Sequence, residues 1–433
     1  MSERVLILGA GISGLAAGRL AGRLGHSVTL FDQEPSAEAY ETGMSIASGP
    51  WDPVLVGGID FVISSPGFSE RSRPVVDCLE AGLAVWSEIE FASRHTTIPM
   101  IAITGTNGKT TVTEATALML NESGIDAPAT GNIGFPLSDF VDGPHDALVV
   151  ETSSFQLRFI ETFHPVAAAV TNVAVDHLDW HGSPSGYAAA KRNIYMNQIE
   201  EDLLVYDCDD QGAVTLISGA RSERFPVSGR RLPEGGGGVD EGSLVVGDVN
   251  VPVGDLEIND PIHLSNLAMS AALSLWMGAV PAAVARAAIG YRPGAHRRQV
   301  VSVMGGVTWI DDSKATNPHA ALASIRAHDS VILIAGGLAK GTEVGVLGEE
   351  PNLKLVLGIG EAGPEIVSRA GSIGEIAGTL EEAVKIAHAR AGIGDTVLLA
   401  PGGASFDQFS SYGKRGDRFQ ELVLELAGER TGR

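Results

Sequence analysis

The chain has 433 residues, of which 44% are hydrophobic, so it can form the cores of about three domains and is too apolar for a disordered chain. With 30 Lys and Arg against 53 Asp and Glu, its net charge of −23 repels nucleic acid and anionic membranes, and we expect neither as a partner. Phosphate ligands are compatible with this charge, because backbone amides, lysines and bound cations set the potential inside a pocket.

The cysteine count and the N-terminal sequence favour a protein of a reducing compartment. Cys78 and Cys208 are too few for a disulfide framework. The chain enters a strand-like segment at Val5 without the long apolar stretch of a signal peptide. No uncharged apolar run approaches the roughly 18 residues of a membrane span. We therefore expect a soluble, cytoplasmic protein without membrane insertion.

The first part of the chain alternates short apolar strands with helical spacing. Strands are predicted at residues 5–8, 27–31 and 61–63, and a helix is predicted at 14–24. Strands that alternate with helices form a parallel, doubly wound sheet. We therefore expect a Rossmann-like domain over residues 1–96.

A glycine motif, G-x-G-x-x-G, lies at residues 9–14, between the first predicted strand and helix. Glycine lets the backbone approach a diphosphate, and the helix N-terminus adds amide donors and a positive dipole. Asp32 ends the second strand, where a carboxylate can accept a ribose hydroxyl. We predict a nucleotide-diphosphate site, and the alternative is a tight turn that needs glycine only for packing. The candidate contacts are Gly11, Ile12, Ser13, Asp32, Ser65, Pro66 and Gly67.

A second phosphate loop opens the central part of the chain, after a buried strand predicted at residues 100–103. Successive amides can ring the phosphates, Lys109 can neutralise β- and γ-phosphate charge, and the Thr110 hydroxyl can bind Mg²⁺. The loop is a variant P-loop, because Ile103 stands where the full spacing requires glycine. We predict ATP binding by Gly105, Thr106, Asn107, Gly108, Lys109, Thr110 and Thr111.

The rest of the central part carries strands predicted at residues 147–150 and 167–171, and short strands and turns over 203–255. Within the last stretch, residues 234–238 read as a flexible surface loop rich in glycine. A helix rich in Ala, Leu and Met is predicted at 264–277.

An Arg-Pro-Gly break at residues 292–294 marks the next boundary. Beyond it, strands are predicted at 307–310, 330–334, 353–357 and 396–399, with helices between them. This pattern indicates a third α/β unit. We place the three domains at residues 1–96, 97–293 and 294–433.

Six further motifs occur in an order that resembles the Mur ligase family, and the resemblance covers the whole chain. They are G-N-I-G at 131–134, E-T-S-S-F-Q-L at 151–157, the stretch 172–179, Y-A-A-A-K at 187–191, H-R at 296–297 and D-D-S-K-A-T-N at 311–317. The D-S-K-A-T-N run is most similar to the members of the family that add D-glutamate. Sibling ligases carry a different run at this place.

The resemblance implies an α/β fold with a Rossmann-like N-terminal domain, a P-loop-type central ATPase domain and a Rossmann-like C-terminal domain. It implies ATP-dependent ligation of D-glutamate to UDP-N-acetylmuramoyl-L-alanine through an acyl phosphate, giving ADP and phosphate, in peptidoglycan precursor synthesis. The implied partners are these small molecules, the implied cofactors are ATP and Mg²⁺, and we expect a monomer.

The resemblance also assigns roles to single residues. It gives catalytic roles to Lys109, Glu151, His177 and Lys191, and metal binding to Thr110, Glu151, His177 and a carbamylated Lys191. It places Asn132 and His177 at the UDP-sugar, and Asn266, Arg297 and Asp312 at ATP. It places Lys314, Thr316, Lys340, Ser405, Phe406 and Tyr412 at D-glutamate. As bare residues, the lysines would be interpreted as solvated surface groups and Glu151 as an exposed carboxylate at a strand end.

Other functions stay open at this point. One alternative is a sibling Mur ligase or a folylpolyglutamate-type amide ligase that uses another amino acid. A different class is a nicotinamide- or flavin-dependent oxidoreductase built on the motif at residues 9–14, although the ATP loop argues against it. A nucleotide-binding regulator without catalysis would leave Lys314, Thr316 and Lys340 without a role.

Overall fold

The structure is a computed structural model that describes residues 2–431 and places the strands in three separate sheets. The sheets are wholly or mostly parallel, and helices connect many of their strands. The predicted α/β fold is therefore confirmed. No helix in residues 2–431 combines the length and the apolar character that crossing a bilayer requires.

The first sheet has five parallel strands in the order β3-β2-β1-β4-β5. Its strands are β1 (Arg4–Leu8), β2 (Ser27–Asp32), β3 (Ser45–Ser48), β4 (Phe61–Ser64) and β5 (Ala84–Ser87), and its helices are α1 (Ile12–Arg23), α2 (Ala37–Glu41), α3 (Arg73–Glu80) and α4 (Glu88–Ser93). The apolar run Val5–Leu8 is fully buried, as expected for a central parallel strand covered on both faces.

The second sheet has nine strands in the order β14-β13-β12-β11-β10-β9-β6-β8-β7. The strands are β6 (Met100–Thr104), β7 (Ala129–Gly131), β8 (Leu148–Glu151), β9 (Ala167–Val170), β10 (Leu203–Asp207), β11 (Glu223–Ser228), β12 (Gly237–Asp240), β13 (Ser243–Val246) and β14 (Val249–Pro252). The helices in this part of the chain are α5 (Lys109–Glu122), α6 (Ser154–Leu157), α7 (Leu178–His181), α8 (Pro184–Arg192), α9 (Gln211–Leu216), α10 (Pro261–Trp276) and α11 (Pro281–Gly290). Strands β12 to β14 form antiparallel hairpins, and the other pairs are parallel.

The glycine-rich stretch 234–238 is only partly a loop, so the prediction of a flexible surface loop was wrong for its second half. Gly237 and Gly238 pair with β11 at the start of β12. A Cβ atom at Gly238 would lie 2.1 Å from the carbonyl oxygen of Arg231. Glycine is needed here because two backbone segments approach each other closely.

The third sheet has six strands in the order β15-β16-β20-β17-β18-β19. The strands are β15 (Gln299–Met304), β16 (Val307–Asp311), β17 (Val331–Gly336), β18 (Leu353–Ile359), β19 (Gly374–Gly378) and β20 (Thr396–Gly402), and the helices are α12 (Pro318–Ile325), α13 (Gly363–Ala370), α14 (Leu380–Arg390) and α15 (Tyr412–Thr431). Strands β15 and β16 are antiparallel, and the other pairs are parallel. The carboxyl ends of β16, β20 and β17 therefore lie side by side at one edge.

The chain divides into two compact units. The first unit comprises the residues up to Val173 and Ser183–Tyr291, and the second comprises Ala174–Gly182 and the residues from Arg292 onward. In the first unit, one continuous core includes Ile7 of the first sheet and Val150 of the second. The short segment 174–182, which carries His177, belongs to the second unit although it lies between β9 and α8 in the chain. The domain boundaries drawn from the sequence stay a prediction.

Two buried carboxylates at the start of α4 join the first sheet to the second within the first unit. Glu90 accepts hydrogen bonds from the backbone amides of Glu161, Thr162 and Phe163. Glu88 Oε1 accepts from the backbone amide of Ser138 at 2.6 Å, and Glu88 Oε2 has no hydrogen-bond partner among the described residues. Burial raises the pKa of the Glu88 carboxyl to about 7, although its bonds to Ser138 oppose the shift.

The raised pKa of Glu88 predicts a pH-dependent stability change for Glu88→Gln. Between pH 4.5 and about 7 the folded protein keeps the proton of Glu88, whereas the unfolded chain releases it. The contribution of Glu88 to the free energy of unfolding is therefore complete below pH 4.5 and is lost as the pH rises through about 7. Glu88→Gln and the parent should therefore unfold alike near pH 5. Above pH 8 the variant should be the more stable, by an amount on the order of 1 kcal/mol.

Thermal unfolding of both proteins across this pH range checks the prediction, with Glu80→Gln on the exposed end of α3 as the control. Glu80→Gln removes an exposed carboxylate and should change the unfolding temperature less than Glu88→Gln does above pH 8. A Glu88→Gln effect of the same size at pH 5 and above pH 8 would contradict the proposed burial of this charge.

Candidate active site

The loop between β6 and α5 has the shape of a phosphate cradle. Gly105 and Gly108 have φ angles of 147° and 85°, which favour glycine. A Cβ atom at Gly105 would lie 1.8 Å from the Thr171 hydroxyl, and one at Gly108 would lie 2.8 Å from Asn266 Oδ1. Helix α5 begins at Lys109 without a side-chain cap, so its N-terminus can present amides to an anion.

The end of strand β9 holds this loop in shape. Asn172 Oδ1 accepts from the backbone amide of Asn107 at 2.9 Å, and Asn172 Nδ2 donates to the Asn107 carbonyl at 3.0 Å. The Thr171 hydroxyl donates to the same carbonyl at 2.5 Å. We did not predict these two residues as site residues. Their partners lie more than 60 residues away in the chain, and only the position of β9 beside β6 brings them together.

Two lysine ammonium groups converge on one carbonyl oxygen of the loop. Lys109 Nζ donates to the carbonyls of Gly105 and Thr106 at 2.9 Å each. Lys191 Nζ donates to the carbonyl of Gly105 at 2.6 Å, and its side chain is 1% exposed. The predicted pairing of Tyr187 with Lys191 on one helix face is confirmed, because the ammonium lies 4.7 Å from the centre of the Tyr187 ring. The cluster is a local positive site in an acidic protein.

Glu151 ends strand β8 and is 3% exposed, so it is not the exposed carboxylate that a bare strand end suggested. Its Oε1 accepts from Asn132 Nδ2 at 2.9 Å, and its Oε2 has no hydrogen-bond partner within residues 2–431. Gly131, which ends β7 and precedes Asn132, has a left-handed backbone with a φ of 90°. The structure therefore brings Asn132 and Glu151 together and leaves one carboxylate oxygen available for a cation.

The residues of the first unit fit a magnesium ion bound together with a nucleotide. In the part of the chain that the structure describes, no group of three His, Cys, Asp or Glu residues forms a closed metal cage. Mg²⁺ is commonly held by one or two carboxylates, by substrate phosphates and by water. The unpartnered oxygen of Glu151 is a carboxylate ligand of this kind, and the Thr110 hydroxyl has the place of the Ser or Thr that binds Mg²⁺ in phosphate loops.

The glycine motif of the first sheet forms a tight strand-to-helix turn. A Cβ atom at Gly14 would lie 1.8 Å from the carbonyl of Gly9, whereas Gly11 faces open space. The two carboxylate oxygens of Asp32 accept from the backbone amides of Ala10 at 2.8 Å and Glu34 at 3.1 Å. Asp32 therefore fixes the loop, and its contact with a ribose stays a prediction. Ile12, next to Gly11, is 67% exposed at the helix start.

The second unit carries the remaining predicted site residues. His177 has a φ of 51°, and its backbone amide donates to Asp176 Oδ1. The second oxygen of Asp176 accepts from Asn317 Nδ2 at 3.2 Å, which ties the segment 174–182 to the D-S-K-A-T-N run. Asp312 is buried and accepts from the backbone amide of Arg298, and burial raises the pKa of the Asp312 carboxyl.

The predicted D-glutamate residues follow the three adjacent strands β16, β17 and β20. Lys314 Nζ donates to the Tyr412 hydroxyl at 3.3 Å and lies 5.0 Å from the centre of its ring. Ser405 is buried, and Lys340 has a left-handed backbone with a φ of 50°. Thr316 lies two residues beyond Lys314 on the loop after β16. Phe406 is 70% exposed.

Left-handed backbone at residues other than glycine is concentrated in these predicted site segments. Within residues 2–431 the examples are His177, Glu241, His296, Arg298 and Lys340. All except Glu241 lie at or beside a residue that the sequence assigned to ligand binding. Such conformations are costly and are retained chiefly where the surrounding structure or a function requires them.

Three family models match parts of this chain. A family model described as Mur ligase middle domain matches residues 103–228, and one described as Mur ligase, glutamate ligase domain matches residues 296–403. A model described as NAD(P)-binding Rossmann-like domain matches residues 7–40. The matches cover the phosphate loop, the end of β8 and the loops after β16 and β17.

Relatives of similar length share more than a third of their residues with this chain. The UDP-N-acetylmuramoylalanine–D-glutamate ligase of Frankia casuarinae is 40% identical, over 98% of this chain and 94% of the relative. The enzyme of the same name from Pelotomaculum thermopropionicum is 35% identical, over 98% of each chain. A solved pseudomurein peptide ligase type C from Methanothermus fervidus has a TM-score of 0.63 at 16% identity, over 98% of this chain and 100% of that one, and therefore supports the fold alone.

The bonds between Asn172 and Asn107 predict that Asn172→Ala weakens ATP binding. Without both bonds the backbone of the loop loses its fixed shape, so the Kd for Mg²⁺-ATP should rise by about tenfold. Titration calorimetry with a non-hydrolysable ATP analogue measures this. Asn197→Ala, which likewise removes two bonds between an asparagine side chain and the backbone, is the matched control and should leave nucleotide affinity unchanged. Equal affinity in the parent and Asn172→Ala would contradict the role assigned to the end of β9.

Proposed function

The chain belongs to the Mur ligase family, and we propose that it joins the amino group of D-glutamate to the carboxylate of UDP-N-acetylmuramoyl-L-alanine. It is an ATP-dependent, amide-bond-forming ligase of peptidoglycan precursor synthesis. We base the choice of substrates on the identity of 35% to 40% between this chain and D-glutamate ligases over nearly its whole length. The D-S-K-A-T-N run at the end of β16 supports the same choice.

The reaction needs activation of a poor acyl donor. A carboxylate has no suitable leaving group, so the terminal phosphoryl group of ATP is transferred to one of its oxygens to form an acyl phosphate. The amine of D-glutamate then attacks the carbonyl carbon, phosphate leaves with the former carboxylate oxygen, and the amine loses a proton. The work of the protein is to position three anions and to neutralise their charge.

The positive cluster of the first unit suits the phosphoryl-transfer step. Lys109 places a cationic side chain at two loop carbonyls, and the N-terminus of α5 adds its dipole. We assign the triphosphate to residues 105–111, with Asn266 beside the loop at Gly108. We assign Arg297 and Asp312 to the adenosine.

The metal assignment follows from the chemistry of the available donors. Glu151 and Thr110 would hold Mg²⁺, and His177 and a carbamylated Lys191 are the further proposed ligands. When bound, Mg²⁺ neutralises phosphate charge and polarises the transferred phosphoryl group. Glu151 is also hydrogen-bonded to Asn132, which we assign to the sugar substrate, so this carboxylate is shared by the predicted metal and substrate residues.

Carbamylation of Lys191 is proposed from the family and from the setting of this side chain. Carbon dioxide adds to the neutral form of an amine, forms a carbon–nitrogen bond and releases a proton, so a cationic site becomes anionic. Lys191 is buried at the phosphate loop, where its ammonium contacts the Gly105 carbonyl and the face of the Tyr187 ring. An anion at this place would suit a divalent cation.

The remaining assignments concern the two other substrates. We assign Gly11, Ile12, Ser13, Asp32, Ser65, Pro66, Gly67, Asn132 and His177 to the UDP-sugar, and Lys314, Thr316, Lys340, Ser405, Phe406 and Tyr412 to D-glutamate. We also propose that the enzyme acts as a monomer in the cytoplasm. The alternative of an oxidoreductase rests only on residues 7–40, which match a Rossmann-like model shared by many nucleotide-binding proteins.

A coupled assay tests the proposed substrates. The purified chain should release ADP only when ATP, UDP-N-acetylmuramoyl-L-alanine and D-glutamate are all present, and the product mass should equal the two substrates joined with loss of water. Replacing D-glutamate by L-glutamate, L-alanine or a diamino acid separates the sibling ligases. ADP release with one of these amino acids and none with D-glutamate would overturn the assignment.

The carbamylation proposal predicts that Lys191→Ala is nearly inactive and partly rescued by a short carboxylic acid, which can replace the missing anion. The parent incubated with labelled bicarbonate should show a carbamate carbon resonance that Lys191→Ala lacks. Lys385→Ala, at an exposed lysine on α14, is the control and should keep both the activity and the resonance. Full activity in Lys191→Ala would refute the proposal.

A further inference from the structure

Arg415 is a buried cation with no role in the function described so far. It lies in the first turns of α15 and is 1% exposed. Its Nε donates to the Ser313 hydroxyl at 3.0 Å, and Nη2 donates to the Ser313 carbonyl at 2.9 Å. Both Nη1 and Nη2 donate to the Gly403 carbonyl at 3.2 Å. The guanidinium therefore donates four hydrogen bonds, and all four acceptors are neutral oxygen atoms.

These contacts join the exit loops of three neighbouring strands. Ser313 follows β16 and Gly403 follows β20, and a Cβ atom at Gly337, which follows β17, would lie 3.2 Å from Arg415 Nη1. The strand order β16-β20-β17 puts these loops side by side. One planar side chain therefore sets the spacing of the three loops.

Each of these loops carries a residue that we assign to D-glutamate. Lys314 directly follows Ser313, Ser405 comes two residues after Gly403, and Lys340 comes three residues after Gly337. The Ser313 hydroxyl also donates to the Tyr412 carbonyl at 2.8 Å, which links the same point to the start of α15. Any displacement of Arg415 would move the whole set of proposed glutamate contacts.

The charge of Arg415 has no paired carboxylate. Among residues 2–431, no Asp or Glu lies within ion-pair distance of its guanidinium. The nearby Asp311 is bound to His296 and Gln420, and Asp407 accepts from the backbone amide of Glu361. Burial lowers the pKa of Arg415 to about 10, so the group is still a cation at neutral pH. Keeping an unpaired charge away from water is costly, and an anionic ligand would compensate it.

We propose that Arg415 is a positioning residue for the amino-acid substrate, holding the loops after β16, β17 and β20 at the spacing that a dicarboxylate requires and adding positive charge behind them. The inference rests on the proposed function and deepens it. It explains why a cation is buried under three loops without a carboxylate partner. Arg415 acts through Ser313, Gly337 and Gly403 and makes no contact with the reacting atoms.

Steady-state kinetics of Arg415→Lys and Arg415→Met test the inference. Lysine keeps the charge but cannot bridge Ser313 and Gly403 with a planar fork, and methionine loses both properties. The KM for D-glutamate should rise by about tenfold in Arg415→Lys and about a hundredfold in Arg415→Met, the range expected for losing hydrogen bonds from a charged group. The KM values for ATP and for the UDP-sugar should stay within about twofold, because these bonds lie in the loops assigned to the amino acid.

Arg418→Lys and Arg418→Met, one turn further along α15, are the matched controls and should leave the KM for D-glutamate unchanged, because Arg418 pairs with Glu381 and Glu421 instead. Melting temperatures identify variants that do not fold. If Arg415→Met does not fold, the inference is tested with Arg415→Lys and Ser313→Ala. Ser313→Ala should then also raise the KM for D-glutamate.

The possible outcomes separate the inference from the proposed function. A parent enzyme that uses D-glutamate while both Arg415 variants keep its KM, or lose affinity for all substrates alike, would overturn the inference alone. A parent that releases no ADP with D-glutamate would instead contradict the proposed function.

Discussion

The phosphate loop depends on hydrogen bonds that it cannot make within itself. A glycine-rich loop is mobile unless neighbouring structure fixes it, and here the end of β9 does so through Thr171 and Asn172. Once the carbonyl of Gly105 is fixed, Lys109 and Lys191 can both donate to it. The parallel pairing of β6 with β8 and β9 then brings Glu151 to the same edge. The position of the proposed ATP site therefore follows from sheet order.

Both compact units place cationic side chains where we propose that anionic substrates bind. The chain has a net charge of −23, yet the reaction that we propose gathers three anions. In each unit, a cationic side chain beside the carboxyl ends of parallel strands donates to backbone carbonyls, Lys109 in the first unit and Arg415 in the second. Positive charge is thus placed locally where we propose that the anions bind. The acidic exterior and the anionic substrates are thus compatible.

The sequence was sufficient for the features that local patterns determine. The phosphate loop, the start of α5 at Lys109 and the strand end at Glu151 lie where glycine spacing and apolar runs placed them. The contacts that fix the phosphate loop could not be predicted, because Thr171 and Tyr187 bind loop residues more than 60 positions away in the chain. The same holds for Arg415, whose partner Ser313 is 102 positions away. The burial of single charged side chains could not be predicted from local sequence either. Lys191 and Glu151, read alone, suggested surface groups, and both are almost fully covered.

The central claim is that the terminal phosphoryl group of ATP is transferred to the carboxylate of the sugar substrate. The most direct test uses UDP-N-acetylmuramoyl-L-alanine whose two carboxylate oxygens both carry a heavy isotope, with ATP and D-glutamate. Mass spectrometry of the inorganic phosphate should then show one labelled oxygen for each amide formed, because phosphate leaves with the former carboxylate oxygen. Amide formation with no label in the phosphate would contradict the account.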